Sequence, residues 1–180
     1  MLDTGISPDE AVQPEQPAAA EEDALVRRAQ MGSAAAFEQL IVARGTELYR
    51  YLAVRLRNES DARDALQETF LAAWQSLPSL RQPERFWPWL VAIAAHKAAD
   101  VVRARRPTPD QAGVVDRADE NAFAVREALD RLPPRFREVL LLRYGLQLSE
   151  QEVADVLGIR VGTVKSRSAR ARTALEELLR

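Results

Sequence analysis

The sequence predicts an all-α protein made of two small helical domains joined by a flexible linker. Three observations predict it. Apolar residues recur at helical spacing through most of residues 25–180, with only seven glycines in the chain and few β-branched runs. A stretch without periodicity, 107–122 (PTPDQAGVVDRADENA), interrupts this pattern with two prolines, one glycine and four acids. A helix–turn–helix pattern, ending in a strongly basic helix, closes the chain.

Residues 1–22 are rich in Pro, Ala, Gln and acid, with almost nothing to bury, and are expected to be disordered. Two readings stand for this tail: a mask that folds back over a basic face and mimics DNA, or a solvated segment without a role. The first domain is expected over 23–106. Leu25, Val26 and Ala29 mark a short helix ending at Gly32. Ser33 can cap the next, whose Phe37, Leu40, Ile41, Leu48, Tyr49 and Leu52 make one apolar face up to about Leu56. Ser60 is expected to cap a third helix, from Asp61 to about Ser76, with Asp61 and Asp64 near its positive end. Its inner stripe is Ala62, Leu66, Phe70, Ala73 and Leu77, with Trp74 alongside; Asp64, Gln67, Glu68, Leu71 and Gln75 face outward. An exposed Leu71 among acids and amides hints at a partner surface.

Pro78 ends that helix, and Ser79–Arg85 form a short polar loop carrying Arg81 and Arg85. A long helix follows from about Arg85 to Arg105, where Pro88 is tolerable because it falls in the first turn. Trp89, Leu90, Ile93 and Val101 point inward, while Lys97, Arg103, Arg105 and Arg106 make the far end basic. Aromatic rings beside a basic helix suit single-stranded DNA, although Phe86 and Trp89 taken alone read as core. His96, the single histidine, reads as a surface or packing residue.

The second domain is expected over 123–180. Val125 and Leu129 lie on one helix, and Leu132-Pro133-Pro134 turns with Pro134 at the first helical position. Phe136, Val139, Leu140 and Arg143 continue to a stop at Gly145. Ser149 and Glu152 form a capping box, Val153, Ala154 and Leu157 an apolar face, and Gly158 a left-handed turn. From Gly158 to Arg172 there are five basic residues and no acid. Thr163, Ser166, Arg167 and Arg170 fall at i, i+3, i+4 and i+7, hence on one face, where arginine can fork onto guanine and hydroxyls can hold phosphate. Val164, Ala171, Leu175 and Leu178 form the ridge that docks this helix on its own domain.

Composition removes several classes of function. No cysteine is present, so disulfides and thiolate chemistry are out, and one histidine makes no metal cluster. No nucleophile–base pair or phosphate loop emerges, so neither an enzyme nor a cofactor is expected. Without a bilayer-length apolar run or a signal sequence, the protein is expected to be cytoplasmic and not itself a membrane protein. The net charge of −2 hides an asymmetry: residues 1–24 hold seven acids and no Lys or Arg, leaving 20 acids against 25 bases, about +5, in the remainder.

In this order the motifs resemble an RNA polymerase sigma factor of the extracytoplasmic-function (ECF) group of the primary-sigma-like family, over roughly residues 25–180. DARDALQETFLAAW (Asp61–Trp74) is similar to the core-polymerase-binding helix, RFWPWLVAIAAHKAADVVRARR (Arg85–Arg106) to the promoter −10 helix, and Leu132–Arg172 to the −35-reading domain. The resemblance implies a σ2-like and a σ4-like domain with no catalytic role and no small-molecule substrate. It implies that Asp64, Gln67, Glu68 and Leu71 meet the clamp helices of the β′ subunit and that the second domain meets the β flap. The loop Ser79–Arg85, with Arg81 and Arg85, would hold a flipped −10 base, with His96, Lys97 and Arg103 beside it. Arg160, Thr163, Lys165, Ser166, Arg167 and Arg170 would read or clamp the −35 element. The linker would thread the polymerase channel, and an anti-sigma factor is an expected partner. The chain departs from the family pattern at His96 (usually asparagine), Pro88 (a small polar residue) and Ser168 (a leucine on the inner ridge, so weaker docking is expected); the −10 loop also looks short. Two rivals remain: a helix-turn-helix repressor or activator working without polymerase, and a helical adaptor that binds polymerase without promoter activity.

Overall fold

A computed structural model describes residues 18–104 and 120–180. The described residues form eight α-helices and no strand. Helices α1 (Ala19–Gln30), α2 (Ala34–Leu56), α3 (Glu59–Ser76) and α4 (Phe86–Ala104) build the first domain. Helices α5 (Glu120–Arg131), α6 (Pro134–Leu140), α7 (Glu150–Leu157) and α8 (Val161–Leu178) build the second. The acidic tail over 1–17, most of the expected linker, and Arg105 and Arg106 lie outside the described residues.

Several boundaries differ from the sequence reading, each for a local reason. Helix α1 starts at Ala19, four residues ahead of Asp23, because alanines favour helix and Glu22 is held by a two-pronged ion pair to Arg44 at 2.8 and 3.0 Å. Residues 19–22 thus belong to the domain and not to a disordered tail. Ser33 caps α2 as expected, accepting from the Ala36 amide at 3.3 Å. Asn58, not Ser60, caps α3: its backbone is extended and its Oδ1 accepts from the Asp61 amide at 2.9 Å. Two 3-10 turns, Leu77–Ser79 and Pro83–Arg85, frame the polar loop after α3. The helix expected to run to Gly145 is α-helical only to Leu140, then widens into a π turn over Leu141–Gly145. Helix α5 begins at Glu120, inside the stretch expected to be linker.

The predicted core holds in the first domain. Leu40, Leu48, Leu52, Ala62, Ala73, Leu77 and Leu90 are buried, and Phe37 packs against Trp74 in a tilted pair with ring centroids 5.0 Å apart. Phe86 is fully buried, which removes it from any DNA-stacking platform.

The core does not stop at the domain boundary. Leu142, Leu146, Val153 and Val156 of the second domain share one continuous apolar cluster with the first, α4 packing on α7 and α2 on the 141–145 turn. Polar contacts run along this seam. Tyr51 donates to Glu138 Oε1 at 2.6 Å and accepts from Arg55 at 2.8 Å, while Arg55 also ion-pairs with Glu138. Arg57 lies 3.5 Å from Asp130. The Trp87 indole, lying under the Arg44 guanidinium at 4.9 Å, donates to the Leu146 carbonyl at 3.0 Å. Arg85 meets Asp155 at 2.8 Å.

Burial pushes the Tyr51 phenol up to about 12, against the opposing pull of the Arg55 charge and hydrogen bond. An unfolded tyrosine titrates near 10. Between about pH 10 and 12 the folded chain therefore keeps a proton that the unfolded chain loses, so this group's contribution falls as pH rises through that window. Denaturant titrations across it should show a shallower alkaline loss of stability in Tyr51→Phe than in the native chain. Equal slopes would mean that the phenol is not buried at this seam.

Candidate functional site

The helix-turn-helix is assembled by local bonds. Ser149 Oγ accepts from the Glu152 amide at 3.2 Å and the Ser149 amide donates to Glu152 Oε2 at 2.7 Å, so the capping box is complete. At the other end of α7, Gly158 sits in the left-handed region at φ 63°. The Ile159 amide there returns to the Ala154 carbonyl at 3.0 Å and the Gly158 amide to the Asp155 carbonyl at 3.4 Å. That pair of bonds is a Schellman closure, which a Cβ at residue 158 would strain. The turn aims α8 away from α7, with Val164 and Ala171 fully buried beneath it.

Arg160, Lys165 and Arg170 are exposed, and Thr163, Ser166 and Arg167 half-exposed, so the structure brings the six predicted −35 residues to the outer side of α8 and its entry turn. Arg160 occupies the N-cap and no side chain caps the helix; its positive end is open to a phosphate. Ser166 Oγ donates to the Thr163 carbonyl at 3.1 Å, so its hydroxyl is engaged with its own helix. Lys165 lies 3.6 Å from Glu150, an exposed pair of little energetic weight.

The predicted −10 residues form a track and not a pocket. Arg81 and Arg85 sit in the loop ahead of α4, His96 is exposed mid-helix, and Arg103, paired with Asp100, lies near the far end. At 1.5 Å per residue, Arg85 and Arg103 stand about 27 Å apart. Lys97 reaches across to Glu68 at 3.2 Å, tying the −10 track to the predicted polymerase face. On that face Asp64, Gln67, Glu68 and Leu71 are all exposed along α3, with Leu71 at 53%. Beside the loop, a cleft of about 420 Å³ runs between the domains, walled by Arg81, Arg85, Pro88 and Trp89 on one side and Glu152 and Asp155 on the other. The hydrogen bonds from Arg85 and Gln151 hold the Asp155 carboxyl below the usual carboxylate range. Sequence reasoning singled out none of Tyr51, Trp87, Glu138 and Asp155, because each acts through a residue 59 to 87 positions away.

Residues 40–108 match Sigma-70 region 2 and residues 122–175 match Sigma-70, region 4. The chain belongs to the ECF RNA polymerase sigma factors. It is 33% identical to the RNA polymerase sigma factor NccH of Alcaligenes xylosoxydans xylosoxydans, over 88% of this chain and 94% of that one. It is 36% identical to the ECF RNA polymerase sigma factor SigM of Mycobacterium tuberculosis, over 82% and 79%. The solved structure of CnrH in complex with the cytosolic domain of CnrY is 33% identical and superimposes with a TM-score of 0.72 over 88% of this chain and 97% of that one. The sigma factor RpoE of Bartonella quintana, solved with the anti-sigma factor NepR, gives 0.65 at 25% identity over 79% and 96%. This sigma factor binds core RNA polymerase and directs it to promoters. A repressor or activator working without polymerase leaves the region 2 match unexplained. No helix among the described residues is long and apolar enough to cross a membrane.

Ser168, where the family resemblance expects leucine, is buried on the inner face of α8 and its Oγ has no hydrogen-bond partner among the described residues. A buried hydroxyl without a partner costs on the order of 1–3 kcal/mol, and alanine is the better helix former. Ser168→Ala should therefore raise the unfolding free energy by about 1 kcal/mol in urea titrations. A loss of stability would mean that the hydroxyl is satisfied in solution.

Proposed function

We propose that the two ends of promoter recognition divide between the domains. Helices α1–α4 take the polymerase β′ clamp helices and the −10 element; α5–α8 take the −35 element and the β flap. The observation that carries this reading is the separation of two open surfaces. The outer face of α3 offers Asp64, Gln67, Glu68 and an exposed Leu71, while the outer face of α8 is basic and its N-terminus uncapped. The first suits a protein partner: an exposed leucine ringed by acids and amides gives an apolar anchor with a polar rim. The second suits a duplex, in which Arg167 and Arg170 face base edges and Arg160 and Lys165 face phosphates. Arg81, Arg85, His96, Lys97 and Arg103 line the path of the −10 strand. No bond is made or broken by the protein itself: binding energy at unstacked bases offsets an unpairing cost of a few kcal/mol. The solved relatives bound to CnrY and NepR support an anti-sigma factor as a further partner.

Run-off transcription with purified core polymerase on a pool of promoter fragments tests the assignment. Leu71→Asp should lower transcription at least about tenfold while leaving binding of free protein to a −35 duplex unchanged. Arg167→Ala should cost about 1–3 kcal/mol on the preferred −35 sequence and relax its selectivity, whereas Arg160→Ala should weaken all duplexes alike and flatten the salt dependence. Full transcription by the Leu71→Asp protein would remove α3 from the polymerase interface.

A further inference from the structure

The chain carries its positive charge almost wholly on arginine. Of its 25 Lys and Arg side chains only two, Lys97 and Lys165, are lysines. They stand one on each promoter surface, Lys97 on the −10 track and Lys165 on the outer side of α8. The two residue types differ chemically. A guanidinium stays protonated and takes no acyl group in water, whereas an amine in its neutral form is a nucleophile toward an activated carbonyl. An acyl donor therefore meets two side-chain amines in the whole chain, and both belong to promoter contacts.

Lys165 is open to such a donor. Its side chain is 64% exposed, and its neighbours on the same helix face, Gly162 and Ala169, are small and exposed. Exposed Arg160, Arg170 and Arg172 make α8 a positive surface, which draws an anionic donor toward it. Lys97 is more enclosed: its side chain is 31% exposed and meets Glu68 at 3.2 Å. Both amines sit in surface ion pairs, which carry little stability, so losing their charge leaves the fold intact. At the DNA surface the loss weighs more. An amide nitrogen is neutral and releases no counterion from phosphate. One phosphate contact contributes about 0.9 to the slope of log K against log salt, about eightfold in affinity at ~0.1 M salt.

We infer that Lys165, and more slowly Lys97, are acylation sites through which a small acyl phosphate turns down promoter binding. This rests on the division of promoter contacts proposed above. The neutral amine attacks the acyl carbon, and the C–N bond of an amide forms. The bond from that carbon to the phosphate oxygen breaks, phosphate leaves with the electron pair, and the proton shed by the amine passes to water. The arginines of both surfaces are untouched, so binding is lowered and not abolished.

Treating the purified full chain with acetyl phosphate and mapping the adducts by mass spectrometry should place acetyl groups on Lys165 ahead of Lys97. The treated protein should bind a −35 duplex about eightfold more weakly at ~0.1 M salt, with a salt slope lower by about 0.9. Its thermal midpoint should not move. Duplex bound beforehand should protect Lys165 and leave Lys97 open. Lys165→Arg, scored against its own untreated sample, should lose no affinity for the −35 duplex on treatment. A Lys165 that stays unmodified, or that is fully acetylated with affinity unchanged, would overturn the inference. An equal treated-to-untreated loss in Lys165→Arg would do the same. An untreated chain that bound no −35 duplex would instead sink the promoter assignment, and the adduct map would still decide whether Lys165 takes the acyl group.

Discussion

Much of the second domain depends on one buried cation. The Arg137 guanidinium donates to the carbonyls of Leu129 at 2.8 Å, Asp130 at 2.7 Å and Leu132 at 3.3 Å, satisfying the open C-terminal end of α5, where a positive charge is also favoured by the helix dipole. That contact sets the angle between α5 and α6 across the Pro133–Pro134 turn. Two surfaces follow from the angle. On one side Leu132 and Leu140 form the small cluster that receives Ala171, Leu175 and Leu178 of α8, so the recognition helix is docked on an arginine-braced pair. On the other side the same two helices present Asp130 and Glu138 to the first domain. A buried charge held by three carbonyls, with the Asp130 carboxylate 3.9 Å away, is costly to strip of its partners, and this explains how a domain of about 60 residues keeps a basic helix at a fixed attitude.

Charge is sorted at every scale of this chain. The near-neutral total conceals acids gathered in the first 24 residues and a positive remainder. Around the helix-turn-helix, α7 carries Glu150, Glu152 and Asp155 while the start of α8 carries Arg160, Lys165 and Arg167; the acids in the first turn of α7 suit its positive end at Ser149, whereas Asp155 and Arg160 at the Gly158 turn run against the dipoles of both helices. Across the seam the arginines lie on one domain and the acids on the other. A surface that attracts phosphate attracts carboxylate as well, and in the cleft between the domains Arg81 and Arg85 face Glu152 and Asp155.

What was legible in the sequence was what closes within a few residues. The capping box, the left-handed Gly158, the Ser33 cap and the alignment of Thr163, Ser166, Arg167 and Arg170 each follow from contacts no more than about two turns apart, and each is present. The misses have physical causes of two kinds. Asn58 and Ser60 are both good cap residues, and only the extended backbone at Asn58 decides between them. The aromatics in the first turn of α4 could stack on bases or fill a core. Phe86 is buried, Trp87 is tied to Leu146, and Trp89 alone faces the cleft, because α4 lies against α7 and only part of its circumference is open. The seam itself left no local trace: Tyr51 and Glu138 are 87 positions apart, and neither is unusual where it stands.

Small size makes the closed arrangement intelligible. Domains of this length bury only about 60% of their surface on folding, and the apolar residues near Leu146 and Val156 would be left at the rim of either domain standing alone. Mutual packing covers them. The linker makes that packing intramolecular, so closing does not depend on protein concentration. On the division of promoter contacts proposed above, the same linker would make the second promoter contact intramolecular once the first is made.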